Sequence, residues 1–236
     1  MATVILARHG RSSANTAGVL AGRSRGVHLD DHGVRQAREA GERLVGLRPT
    51  AVVTSPLERC RETAKGLLAG LDLDVPVTRE KGLTECDYGT WTNQPIRALT
   101  KEPMWRTVQA HPSAAHFPGG ESLAAMSARG VEAVRRWDRV AEEEHGADAI
   151  WVAVSHGDVI KAILADALGL HLDEFQRIVV DPGSLSVVRY TPQRAFVLAT
   201  NTQAGSLAHL APPPRKRKRR ATAADGDAVV GGTTGV

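Results

Sequence analysis

The chain has 236 residues, 42% of them hydrophobic and 24% charged, a balance that excludes wholesale disorder and allows the core of one domain to be buried. No apolar run reaches the roughly 20 residues of a membrane span, and Cys60 and Cys86 alone argue against a disulfide scaffold, so a cytoplasmic protein with reduced thiols is expected. The formal charge of +4 lies in residues 205–236, where the basic block Arg215 to Arg220 outweighs Asp225 and Asp227, leaving the preceding body formally neutral and not marked as a nucleic-acid enzyme.

Thr3 to Ala7 is a β-favouring apolar run that stops at Arg8, His9 and Gly10, so polar side chains project from a strand's carboxyl end. Asp31 to Val45 carries Val34, Ala37, Ala40 and Leu44 at helical spacing behind an acidic start. Ala51 to Thr54 reads as a buried strand, and Ser55-Pro56 turns it into a helical stretch with Arg59 and Thr63 on one side. A short strand is expected at Val75 to Thr78, followed by a polar loop around Glu85. Pro95, Pro103, Pro112 and Pro118 interrupt the next segment, which reads as a substrate-facing cap. Ser122 to Glu144 has the apolar stripe of a long helix, Ala149 to Val154 that of a strand ending at Ser155-His156-Gly157, and Val159 to Leu168 that of another helix. Short β-like runs at 176–190 and 195–200 complete the sheet. Residues 1–204 are thus expected to form one catalytic domain. The Ala, Pro, Gly and Thr-rich residues 205–236 read as a flexible basic tail, either an electrostatic tether for polyanions such as nucleic acid or a merely solvated segment.

Phosphoryl transfer needs a nucleophile, anion clamps and proton-transfer groups. His9 supplies the first when one ring nitrogen is unprotonated. Arg8 and Arg59 offer bidentate clamps, His156 a further hydrogen bond, and Asn15 a phosphate contact or a loop-capping group. Glu85 is the candidate acid for the leaving oxygen and then the base for water. Ser12, Arg23 and Arg25 are candidates for a substrate loop, against a plainer reading as solvated residues. Cys60 reads as packing, Trp91 as a lid or a core ring, and Asp158 and Lys161 as helix-surface residues. No spacing suggests a metal site, and no cofactor is expected.

Taken together, Arg8-His9-Gly10 with Ser12 and Asn15, the run from Ser55 to Ala64 with Arg59, Glu85, Pro118 to Ser122, and His156 resemble the histidine phosphatase superfamily, in its branch of phosphoglycerate mutase-like phosphatases, over residues 3–201. The resemblance implies a three-layer α/β/α domain with a mainly parallel central sheet, a phosphohistidine on His9 and no metal requirement. It implies hydrolysis of a small phosphorylated substrate, with mutase-like transfer between hydroxyls as the alternative, and leaves room for a homodimer. Two departures stand out: Gly26 occupies a position where the family often has an acid, and Asn93 one where it commonly has glycine.

Overall fold

The computed structural model describes residues 2–71, 74–204 and 231. Six strands form one sheet in the order β3-β2-β4-β1-β5-β6: β1 (Thr3–Arg8), β2 (Val52–Thr54), β3 (Val77–Arg79), β4 (Ile150–Ser155), β5 (Leu185–Tyr190) and β6 (Ala195–Thr202). The first four are mutually parallel, and β5 runs antiparallel to both β1 and β6. Among the described residues seven α-helices flank the sheet: α1 (Ser13–Ala17), α2 (Asp31–Glu42), α3 (Glu58–Leu68), α4 (Ile96–Leu99), α5 (Pro103–Ala110), α6 (Leu123–His145) and α7 (Gly157–Ala167). This is the expected three-layer α/β/α architecture.

The layers follow from the period-2 alternation of strand side chains. In β1, Val4 and Leu6 join one apolar cluster with Leu123, Met126 and Val134 of α6 and Ile160 and Ile163 of α7. Ile5 and Ala7 face the other way, into a cluster with Ala40 of α2 and Cys60, Ala64 and Leu67 of α3. β4 splits likewise, Trp151 and Ala153 to the first cluster, Val152 and Val154 to the second. A strand buried on both faces must be apolar throughout, and burial of each large side chain contributes about 1.5–3 kcal/mol.

The predicted helices and strands are present with shifted ends. The segment from Val75 pairs only at Val77–Arg79, where its side chains are exposed at the sheet edge. The Pro-interrupted cap resolves into α4, α5 and a 3-10 turn at Pro112–Ala114, with prolines beginning the latter two. α1 falls in what reads as loop; it has no buried residue, so no apolar period betrays it. Trp91 is buried, stacked 6.1 Å from Trp105 and edge-on to Phe117 at 5.3 Å, a core ring rather than a lid. Asn93 has φ +66°, a left-handed conformation that glycine or asparagine adopts at least cost, which accounts for the exchange at this position. Apart from Gly231, the tail lies outside the described residues, so the readings of it as flexible and as a polyanion tether do too. No helix among the described residues is long and apolar enough to cross a membrane.

Candidate active site

The carboxyl ends of three strands lie side by side: Arg8 of β1 is in register with Ser155 of β4, and Thr54 of β2 with Val154. The residues that follow, His9, His156 and Ser55, are therefore neighbours at the crevice where parallel α/β sheets commonly place their chemistry. The His9 and His156 rings meet edge to face, 5.3 Å between centroids. The loop after β1 stays tight because Gly10 rests on Gly33 of α2: a Cβ on Gly10 would lie 2.4 Å from the Gly33 carbonyl oxygen, and one on Gly33 would lie 2.0 Å from that of Arg11. The Gly10 N–H donates to Thr63 Oγ1 at 3.1 Å, tying the same loop to α3.

His9 Nδ1 faces the Gly10 carbonyl oxygen at 2.7 Å, a contact that needs the hydrogen on Nδ1 and leaves the Nε2 lone pair, 3.3 Å from Arg59 Nε. Burial first, then the charges of Arg59 and Arg8, hold the ring well below its ordinary pKa, so it is neutral at neutral pH. Arg59, in the first turn of α3, donates from Nη2 to the Gly22 carbonyl at 2.8 Å and lies 3.2 Å from His156 Nδ1. Its Nη1 is buried without a partner, a donor an incoming anion would satisfy. Ser55 Oγ holds His156 Nε2 at 2.8 Å, which turns Nδ1 towards Arg59 and to within 3.9 Å of Glu85 Oε2. Burial, Arg59 and His9 keep His156 neutral as well.

Glu85 is buried, and one oxygen accepts the Cys86 N–H at 2.9 Å. Burial and the nearby Asp158 push its carboxyl up to about 7, against the opposing pull of Arg59. Arg8 donates from Nη1 to the Val180 carbonyl at 2.6 Å and from Nη2 to that of Gly231 at 3.2 Å, and burial lowers it only to about 10, so it stays charged. The cavity lining joins His9, Arg59 and Glu85 to Val19, Leu20, Tyr88 and Ile96.

The site thus holds a neutral histidine just past a strand end, an arginine with an open donor and a proton-bearing carboxyl, and the family described as "Histidine phosphatase superfamily (branch 1)" matches the chain over residues 4–203. The chain belongs to this superfamily. It is an enzyme whose chemistry is histidine-based phosphoryl transfer. A relative named "Probable phosphoglycerate mutase GpmB", from Yersinia pestis, is 31% identical over 218 residues, covering 90% of this chain and 97% of its own. Among solved structures, the alpha-ribazole phosphatase of Shigella flexneri superposes with a TM-score of 0.73 at 27% identity, covering 87% of this chain and 98% of its own. A mycobacterial glucosyl-3-phosphoglycerate phosphatase in complex with VO3 gives 0.74 at 25% identity, covering 85% and 99%.

Within this histidine phosphatase the remaining candidates are placed less centrally. Ser12 caps α1: its N–H and hydroxyl donate to Asn15 Oδ1 at 3.0 and 2.8 Å, and the Asn15 N–H donates back, so both line the cavity as a capping box. Arg23 does not face the cavity; it donates to the Glu85 carbonyl at 2.9 Å and to Glu121 at 2.8 Å. Arg25 is exposed, and His28 pairs with Glu62. Asp158 and Lys161 correct the surface reading: both are buried, with Tyr88 Oη donating to Asp158 at 2.8 Å and Lys161 Nζ 3.8 Å from it. Asp158 directly follows His156-Gly157, and that proximity was the available signal. Gly231, from the tail, donates its N–H to the same carboxylate at 2.9 Å. Among the described residues no group of His, Cys, Asp and Glu is arranged to hold a metal ion.

Proposed function

We propose that the protein hydrolyses small phosphomonoesters through a phosphohistidine on His9. The His9 Nε2 lone pair forms the N–P bond as the P–O bond to the leaving oxygen breaks, and the protonated Glu85 gives that oxygen its proton. With the alcohol gone, the Glu85 carboxylate takes a proton from water, whose oxygen forms a new P–O bond as N–P breaks. Inorganic phosphate leaves and His9 returns neutral. Arg8, Arg59 and His156 bind the phosphoryl oxygens, where charge accumulates.

The observation that carries hydrolysis over mutase transfer is the charge of the cavity lining. A mutase must hold a second anionic group while the phosphoryl group changes places, yet among the described residues Arg59 is the one lysine or arginine in the lining, beside the apolar Val19, Leu20, Ala21 and Ile96. Arg23, from the candidate substrate loop, is already engaged by Glu121 and the Glu85 carbonyl. Two similar structures carry phosphatase names, which supports the same reading, while the mutase name of the Yersinia relative supports the other. Early-time product analysis with several phosphomonoesters, with and without a bisphosphate primer, tests it. Release of one phosphate per alcohol without primer is expected, with acid-labile label on His9 that His9→Ala removes. Rapid primer-dependent isomerisation with little phosphate release would overturn hydrolysis.

A further inference from the structure

We infer that Arg129 and Glu121 are positioning residues for Glu85, an inference that rests on the proton-donor role assigned to that residue. Arg129 stands two turns into α6, within a run of charged and small residues that reads as solvent face. Instead its guanidinium enters the proton-donor loop. Nη1 donates to the carbonyls of Gly82 at 2.8 Å and Thr84 at 2.6 Å, and Nη2 to that of Glu85 at 3.0 Å. The remaining donors make a two-pronged pair with Glu121, Nη2 to Oε1 at 2.6 Å and Nε to Oε2 at 3.1 Å. Glu121 Oε1 also accepts the Asp87 N–H at 2.9 Å and Arg23 Nη2 at 2.8 Å.

The backbone is thus gripped on both sides of the acid. The carbonyls of 82, 84 and 85 and the N–H of 87 all end on this one ion cluster, and the Glu85 carbonyl receives two guanidinium donors. A second contact locks the same loop: a Cβ on Gly89 would lie 2.1 Å from the Pro118 carbonyl oxygen and one on Gly120 2.2 Å from that of Asp87, so the two chains pass backbone against backbone. The cluster is only partly exposed, at 22% for the Arg129 side chain and 17% for Glu121, and burial there strengthens charge-assisted hydrogen bonds. Neither side chain lines the cavity; what they hold is the backbone that carries the Glu85 carboxyl. A misplacement of about 1 Å in a proton donor lowers its rate contribution on the order of a hundredfold.

The test compares an alkyl phosphate, whose leaving oxygen needs a proton, with an activated aryl phosphate, whose oxygen needs little. Arg129→Met is expected to lower kcat on the alkyl substrate on the order of 100-fold and on the aryl substrate by less than about 5-fold, with inhibition by inorganic phosphate unchanged. Arg129→Lys should recover only part, since one ammonium cannot span the three carbonyls and the carboxylate. Glu121→Gln, which keeps the shape and removes the charge, should show the same selectivity more weakly and serves if the methionine variant does not fold. Equal losses on both substrates, or no loss, in folded variants would overturn the inference. Glu85→Gln is the reference: selectivity in E85Q but not at 129 or 121 rejects only the positioning role, whereas no selectivity in E85Q rejects the proton-donor reading itself.

Discussion

His9 and Glu85 share one buried pocket, and burial drives them in opposite directions: a base loses its proton and an acid keeps it, because each is favoured in its uncharged form. The productive state, neutral His9 beside protonated Glu85, is therefore the resting state. Protonation of His9 lies well below 6.5 and ionisation of Glu85 near 7, so kcat/KM for an alkyl phosphate should be bell-shaped, falling as pH rises through about 7. Removing the Asp158 charge removes a cause that raises Glu85, so Asp158→Asn should move the alkaline limb to lower pH. An aryl phosphate should flatten that limb. Identical alkaline limbs for the two substrates would contradict the assignment. The meeting of His9, Arg59 and His156 was legible in the sequence because the two histidines directly follow strands and Arg59 opens the helix after a third. Asp158 and Arg129 were not, because an acid in a helix's first turn and an arginine in mid-helix have the sequence signature of solvent-facing residues. Only the packing of α7 and α6 against the proton-donor loop shows otherwise.

At the scale of elements, strands buried on both faces announced themselves as apolar runs, and α2, α3, α6 and α7 as periodic stripes. α1 was hidden, since five residues of which none is buried have no apolar period and only the Ser12–Asn15 capping box marks its start. The short pairing of β3 was equally hidden, being set by the edge of β2 rather than by its own side chains. Contact between elements was not legible either, and the junction of α2 with the catalytic loop depends on it. Because the nearest atoms to a Cβ on Gly33 are backbone atoms of Arg11, Gly33→Ala must displace either the helix or the loop carrying His9. A loss of about 2–3 kcal/mol in denaturant unfolding, together with a drop in kcat, is expected. Gly70→Ala, where nothing lies within 4 Å, should change stability by less than about 0.5 kcal/mol and leave turnover intact. Equal effects at the two positions would refute the close approach.

For the whole molecule, charge asymmetry and three-layer order were both readable, whereas the contact of Gly231 with Arg8 and Asp158 was not, since nothing in a Gly- and Thr-rich terminus names its partner. The two cysteines happen to sample the two apolar layers separately: Cys60 belongs to the cluster under α2 and α3, and Cys86 to the one under α6 and α7. Both are fully buried, and burial pushes the Cys60 thiol up to about 12 and the Cys86 thiol higher still. Each is therefore chemically silent until its own layer opens, and the pair forms a built-in clock on either side of the sheet. Iodoacetamide at pH 8 should alkylate both thiols at one common rate, slower than a free thiol by a factor on the order of a thousand or more, with turnover lost at that same rate and not before. Faster capture of Cys86 would show the helical layer carrying the proton-donor loop breathing on its own, and rapid capture of Cys60 in active enzyme would contradict its burial with Sγ 3.4 Å from His156 Nε2.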